Sequence, residues 1–95
     1  MFTLHIEHAI SDFGVWRAAF DRFEDARRQA GVRAHRVSQP VDDDRYVMIG
    51  LDFETEAEAE KFGGFLRNTV WASPGNAPAL VGTPQTRILR RVAAA

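Results

Sequence analysis

The stretch YVMIGLDFETEAE, residues 46–58, decides the fold. Its first eight residues alternate, with Val47, Ile49, Leu51 and Phe53 on one side and Tyr46, Met48, Gly50 and Asp52 on the other, the period of two expected of a β-strand with a covered face. It is the most apolar strand candidate in the chain, which assigns it to the middle of a sheet. Immediately afterwards Thr55 and Glu58 have the spacing of a capping box, in which each side chain satisfies an orphan amide at a helix start. The helix that follows is expected to reach about Val70 and to bury Phe62, Phe65, Leu66, Thr69 and Val70. Gly63 and Gly64 in its middle cost about 1 kcal/mol each relative to alanine, so close packing or a bend is expected there.

Working towards the N-terminus, the acidic turn Asp42-Asp43-Asp44 and Pro40 close off a strand from Val32 to Gln39, which makes a hairpin with the central strand. Before it, Ser11-Asp12 supplies capping oxygens, and Phe13, Trp16, Phe20, Phe23 and Ala30 follow at helical spacing until Gly31 ends the helix. Arg17, Asp21, Glu24, Asp25 and Arg28 form its solvated face. Residues 2–9 alternate again, with Phe2, Leu4, Ile6 and His8 on one side and Thr3, His5, Glu7 and Ala9 on the other. Towards the C-terminus, Pro74, Gly75, Pro78, Gly82 and Pro84 break up residues 72–84, and a last strand runs from Thr86 to Val92 ahead of a fraying Ala93–Ala95 tail.

The order is βαββαβ in one α+β domain, residues 1–95, with a ferredoxin-like, four-stranded antiparallel sheet and two helices on one face. The opposite face is expected to carry Thr3, His5, Glu7, Tyr46, Met48 and Gly50, joined by Arg33, His35, Val37, Arg87 and Leu89. That mixture suits a wet, polar homodimer interface through the open sheet face.

Composition bounds the function. Twelve Lys+Arg against 13 Asp+Glu give a net charge of -1. This lacks the basic field that a nucleic acid partner requires. Without cysteine, disulfides, zinc knuckles and thiolate chemistry are excluded, and a reducing, cytoplasmic location is the compatible expectation. Residues 1–10 include His5, Glu7 and His8, so they have neither the basic start nor the apolar run of a signal peptide. No stretch has the length or apolarity for a membrane. A chain of 95 residues buries roughly 60–65% of its unfolded surface, a thin core whose stability gains from a partner chain.

The opening strand with His8, the arrangement of Asp12, Phe13, Trp16 and Phe20, the helix end at Ala30-Gly31 and the strand Ala34-His35-Arg36-Val37 resemble small bacterial members of the dimeric α+β barrel superfamily. The closest group is the antibiotic biosynthesis monooxygenase-like proteins. The resemblance implies a homodimer whose two sheets face each other as a barrel, with a cleft between sheet and helices in each subunit and no cofactor. It points to cofactor-free monooxygenases or cyclases acting on small aromatic or polyketide-like molecules. Members of the superfamily use Asn and Trp, sometimes with His, around the pocket. This chain offers Asn68 and Trp71, but no histidine follows His35, so haem degradation has no support.

His8 is the candidate catalytic residue, because strand parity puts it on the helix-covered face near Trp16. There it can exchange a proton with an acidic phenol or enol. Its structural alternative is a histidine bonded to neighbouring backbone at the strand end. Trp16, Asn68 and Trp71 are the candidate substrate-binding residues, the two indoles as aromatic walls. For Trp16 the alternative is simple core packing. Tyr46, Arg33, Arg36 and Arg87 can bind a carboxylate or phenolate, although pairing with Glu7, Asp52 or the partner subunit is the favoured account. No metal is expected: His5 and His8 differ in strand parity, and Asp42-Asp43-Asp44 lacks the spaced ligands of a calcium loop. Two functions remain, a cleft enzyme and a non-catalytic dimer that binds a small ligand or stabilises other proteins. A cleft of a few hundred Å³ beside Trp71 favours the first. A cleft filled by Phe20, Phe23, Phe62 and Phe65 favours the second.

Overall fold

The computed structural model describes residues 1–92, so the Ala93–Ala95 tail lies outside the described residues. The elements run β1 (Phe2–Ile10), α1 (Phe13–Arg22), α2 (Glu24–Gln29), β2 (Ala34–Ser38), β3 (Tyr46–Phe53), α3 (Glu56–Phe65), a π-helical turn (Leu66–Val70) and β4 (Leu80–Arg90). The strands form one antiparallel sheet in the order β2-β3-β1-β4, the ferredoxin-like arrangement expected from the sequence. β1 and β3 are central and paired from Phe2↔Phe53 to Ala9↔Tyr46. Leu4, Ile6, Ile10, Val47, Ile49, Leu51 and Phe53 project from them into a core closed by Trp16, Ala59, Phe62 and Ala79.

Both predicted helix starts form. The Asp12 carboxylate accepts the Val15 amide at 2.9 Å, and Thr55 and Glu58 make the reciprocal capping box. The first helix, however, is not continuous to Ala30. It breaks at Phe23, whose φ of -99° and ψ of 17° leave the helical region, and resumes as α2. Gly31, with φ of 98°, then ends α2: its amide donates to the Arg28 carbonyl and the Val32 amide to the Arg27 carbonyl, the paired bonds of a Schellman motif. Gly63 and Gly64 lie inside α3, which runs to Phe65 and passes into the π turn, closed by the Trp71 amide on the Leu66 carbonyl at 2.7 Å.

Two strand readings need correction. β4 starts at Leu80, six residues before the expected Thr86, and contains both Gly82 and Pro84. It is an edge strand, where a missing amide is tolerated, and its register against β1 shifts between Glu7 and Ala9, with Gly82 at φ of 73° inside the irregularity. In β2 the parity is the reverse of that expected. His35 and Val37 pair with Leu51 and Ile49 and therefore lie on the helix side, while Arg36 pairs with Gly50 on the open face. Val37 packs against the core, and the His35 ring meets Phe20 edge-on at 5.6 Å.

The open face is organised around Asp52. Arg36 reaches across Gly50 and donates to both Asp52 carboxylate oxygens at 2.8 Å, and the Thr3 hydroxyl donates to the same group at 2.7 Å. A Cβ at position 50 would lie 2.9 Å from the Arg36 guanidinium, so glycine leaves the path for this side chain. These bonds hold the Asp52 carboxyl down to about 2, with the Arg36 hydrogen bond as the main cause, although burial opposes it. Among the described residues no helix is long and apolar enough to cross a membrane.

Candidate functional site

Between the sheet and the helices lies an elongated cavity of about 80 Å³. Ile6, His8, Ile49 and Leu51 form its floor on β1 and β3. One wall is aromatic and comes from α1 and its junction with α2: Trp16, Phe20 and Phe23, ending at Arg27. The facing wall is Phe62, Leu66, Val70 and Trp71, and Asn76, Ala77, Ala79 and Leu80 close the remaining side. Trp16 stacks on Phe20 with centroids 4.9 Å apart, so the aromatic wall is one continuous surface.

His8 is 5% exposed. Its Nδ1 lies 2.9 Å from the Ala9 carbonyl. A carbonyl only accepts, so Nδ1 carries the proton, and in the neutral ring Nε2 holds the free lone pair. Burial pushes the His8 pKa below its ordinary value, with the Ala9 bond acting in the opposite sense, so the ring is neutral at pH 7. Trp71 meets it edge-on at 6.4 Å. The backbone bond foreseen as the structural alternative is thus made by Nδ1, and the same ring lines the cavity.

Of the four candidate residues, His8, Trp16 and Trp71 are brought together around the cavity. Asn68 is not. It is exposed in the middle of the π turn, between Leu66 and Val70, and those two take the inward positions. The amide at the cavity is instead Asn76, held by a hydrogen bond from its Nδ2 to the Thr69 carbonyl at 3.1 Å. It sits in the breaker-rich segment, where no periodicity announces which residues face inward.

The sequence reading also passed over Arg27. It is 6% exposed, lies 3.7 Å above the Phe20 ring, and donates from Nη1 to the Phe20 carbonyl at 2.5 Å. That carbonyl also accepts the Phe23 amide at 3.2 Å in the last turn before the break, and a cation there suits the C-terminal end of α1. Burial pushes the guanidinium pKa down, while Asp21 and Glu24 oppose the shift. A signal was present: Arg27 stands four residues after Phe23, seven after Phe20 and eleven after Trp16, squarely on the buried stripe.

Two of the three arginine candidates, Arg33 and Arg36, have structural partners. Arg36 is bound to Asp52 and Arg33 to Glu54. His35 does not join His5 and Glu7 on the open face, and among the described residues no group of three or more carboxylate and imidazole side chains is placed to hold a metal. The cavity lies between the two outcomes set for it. Phe20, Phe23 and Phe62 narrow it, Phe65 packs behind Phe23 and Phe62, and free space remains against His8. On the outer side of Trp71 and Leu80 lies a shallower groove of about 290 Å³, reaching Arg67 and Pro84. The same two residues border both spaces.

No protein-family profile matches the chain, and no curated protein matches it by sequence. Solved structures do match along its whole length. SnoaB, a cofactor-independent oxygenase from Streptomyces nogalater, superposes with a TM-score of 0.71 at 14% identity over 98% of this chain and 94% of its own. The ActVA-Orf6 monooxygenase of Streptomyces coelicolor, in complex with Nanaomycin D, gives 0.69 at 15% identity over 99% and 89%. An antibiotic biosynthesis monooxygenase gives 0.70 at 10% identity over 98% and 100%. At these identities the likeness is one of fold. The chain thus has the ferredoxin-like α+β fold of the antibiotic biosynthesis monooxygenase-like proteins.

Proposed function

We propose that the protein is a homodimeric, cofactor-free monooxygenase acting on a small aromatic molecule, a phenol or hydroquinone, held between the aromatic wall and His8. The observation that carries this reading is a neutral histidine with a free Nε2 lone pair in an otherwise largely apolar cavity. Such a group removes a proton from a phenolic hydroxyl without first having to lose one itself. The phenolate formed reacts directly with molecular oxygen: a ring carbon takes up O2 as a hydroperoxide, which loses water to leave a quinone. One oxygen atom enters the product, the other leaves as water and the substrate supplies the electrons, while the dry aromatic surroundings shield the intermediate. Trp16 and Phe20 stack the ring, and Asn76 offers an amide at the mouth. Fold relatives that include a cofactor-independent oxygenase support the choice of chemistry.

The cavity of about 80 Å³ is smaller than the roughly 150 Å³ that accommodates benzene elsewhere. Binding therefore needs room beyond it, and Trp71 and Leu80, which also border the outer groove of about 290 Å³, are the side chains whose displacement would join the two spaces. The test is oxygen uptake above the spontaneous rate with a panel of one-ring and two-ring hydroquinones. His8→Ala should bring turnover of any accelerated substrate to background; unchanged kinetics would remove His8 from the mechanism. The narrowness contributed by Phe20, Phe23 and Phe62 favours a second reading, a dimer that binds a small ligand without turning it over. In that case ligands bind and the panel shows no acceleration.

A further inference from the structure

We infer that the cavity takes an aromatic anion, a ring bearing an ionised carboxylate or phenolate, and that Arg27 is the residue that selects for the charge. This rests on the cavity being the ligand site proposed above and narrows its substrate class. Guanidinium has five N–H donors, and Arg27 uses Nη1 on the Phe20 carbonyl. Among the described residues no carboxylate lies within ion-pair distance of it. Among the described residues no enclosed side-chain nitrogen or oxygen lacks a hydrogen-bond partner, so the other guanidinium nitrogens keep accessible surface, and Arg27 lines the cavity.

A desolvated cation that feels Asp21 and Glu24 only from beyond ion-pair distance is incompletely compensated, and a ligand anion in direct contact relieves it. Most of the dehydration has already occurred on folding, and the guanidinium is fixed by the Phe20 carbonyl on one side and the Phe20 ring face on the other. A carboxylate or phenolate arriving there meets donors that need no further ordering. The ring then continues along the Phe20 and Trp16 surface. Arg27 also lies towards the opposite end of the floor from His8. It stacks on Phe20, which touches His35 opposite Leu51, whereas His8 is opposite Val47. Four residues of strand separate Leu51 from Val47, about 13 Å along the backbone. The anion end and the proton-transfer end of a ligand are thus distinct.

Calorimetric titration with benzoate and its neutral isostere benzamide tests this without any turnover. The wild-type protein should bind benzoate at least tenfold more tightly. Arg27→Met should remove the difference and leave benzamide affinity within twofold, Arg27→Lys should keep part of the preference, and His8→Ala should keep all of it. In the wild type, the Arg27 side-chain Nε–H resonance should move on adding benzoate and stay still with benzamide, a readout that does not depend on any variant folding. Equal affinities, a preference that survives Arg27→Met, or a stationary resonance would overturn the assignment. Benzamide binding with no benzoate preference overturns the anion alone and leaves the proposed oxygenase standing; binding of neither overturns both.

Discussion

His8 and Asp52 are both buried ionisable residues, and their environments set opposite demands. His8 is kept neutral by burial, whereas Asp52 is kept ionised by Arg36 and Thr3. Both pKa values lie below their ordinary ranges, so in both cases the unfolded chain binds protons more readily and stability falls with pH. The windows differ. The His8 contribution is complete above about pH 6.5, the ordinary imidazole value, and is lost as the pH falls towards its depressed folded value. The Asp52 contribution is complete above 3.8 and is lost as the pH falls to about 2. Acid unfolding followed by circular dichroism should therefore show two phases. In His8→Phe the upper one should disappear; in Asp52→Asn the lower one should shrink, with a loss at pH 7 of at most about 2 kcal/mol. An unchanged acid profile in Asp52→Asn would mean that the Arg36 pair contributes nothing.

At the scale of elements, glycine geometry gives the sharpest test. Gly31 is left-handed at φ of 98°, and a Cβ there would come within 2.5 Å of the Glu58 carboxylate that helps cap α3. Gly82 is also left-handed, at φ of 73°, but has nothing within 4 Å of its Cβ position. Gly82→Ala should cost only the backbone term, about 1–2 kcal/mol, while Gly31→Ala should cost more because it also disturbs the Thr55–Glu58 capping box. For a chain of this size each kcal/mol lowers the melting temperature by about 4–8 °C. Equal melting temperatures for the two variants would show that the Glu58 contact is soft. The contrast also explains what the sequence makes legible. Strong alternation in residues 2–9 and 46–53 and the caps at Asp12 and Thr55 are local signals, and the structure follows them. The break at Phe23 has no glycine or proline to announce it, and β2 has Val37 as its only large aliphatic residue, too little to set parity. What reverses β2 is tertiary: Arg36 is drawn to Asp52 on the open face, and Val37 to the core. The site was legible to the same degree. His8, Trp16 and Trp71 lie on patterned elements, whereas the inward position of Asn76 depends on how an irregular loop folds back.

For the whole molecule, the two faces of the sheet separate assembly from ligand binding. The cavity is lined by this chain's own residues on the helix side. The open side leaves Leu89 at 43% and Val81 at 47% exposure, beside His5 and Glu7, whose Nε2 and carboxylate oxygen are 3.9 Å apart. Apolar side chains among such polar neighbours fit a partly wet interface between two copies. Native mass spectrometry of the gently purified protein should record twice the 10.7 kDa chain mass, and extra mass of a few hundred daltons would hand over a retained ligand. Leu89→Arg places a charge on that face and should shift the population towards monomer as the protein is diluted. Leu89 pairs with Thr3 on the side of the sheet away from His8, so the variant should still bind benzoate in the cavity. Monomer with binding intact would assign assembly and recognition to opposite faces. If Leu89→Arg stayed dimeric, the open face would not be the interface; if it became monomeric and lost the ligand, the partner chain would be closing the cavity, and the site would belong to the pair.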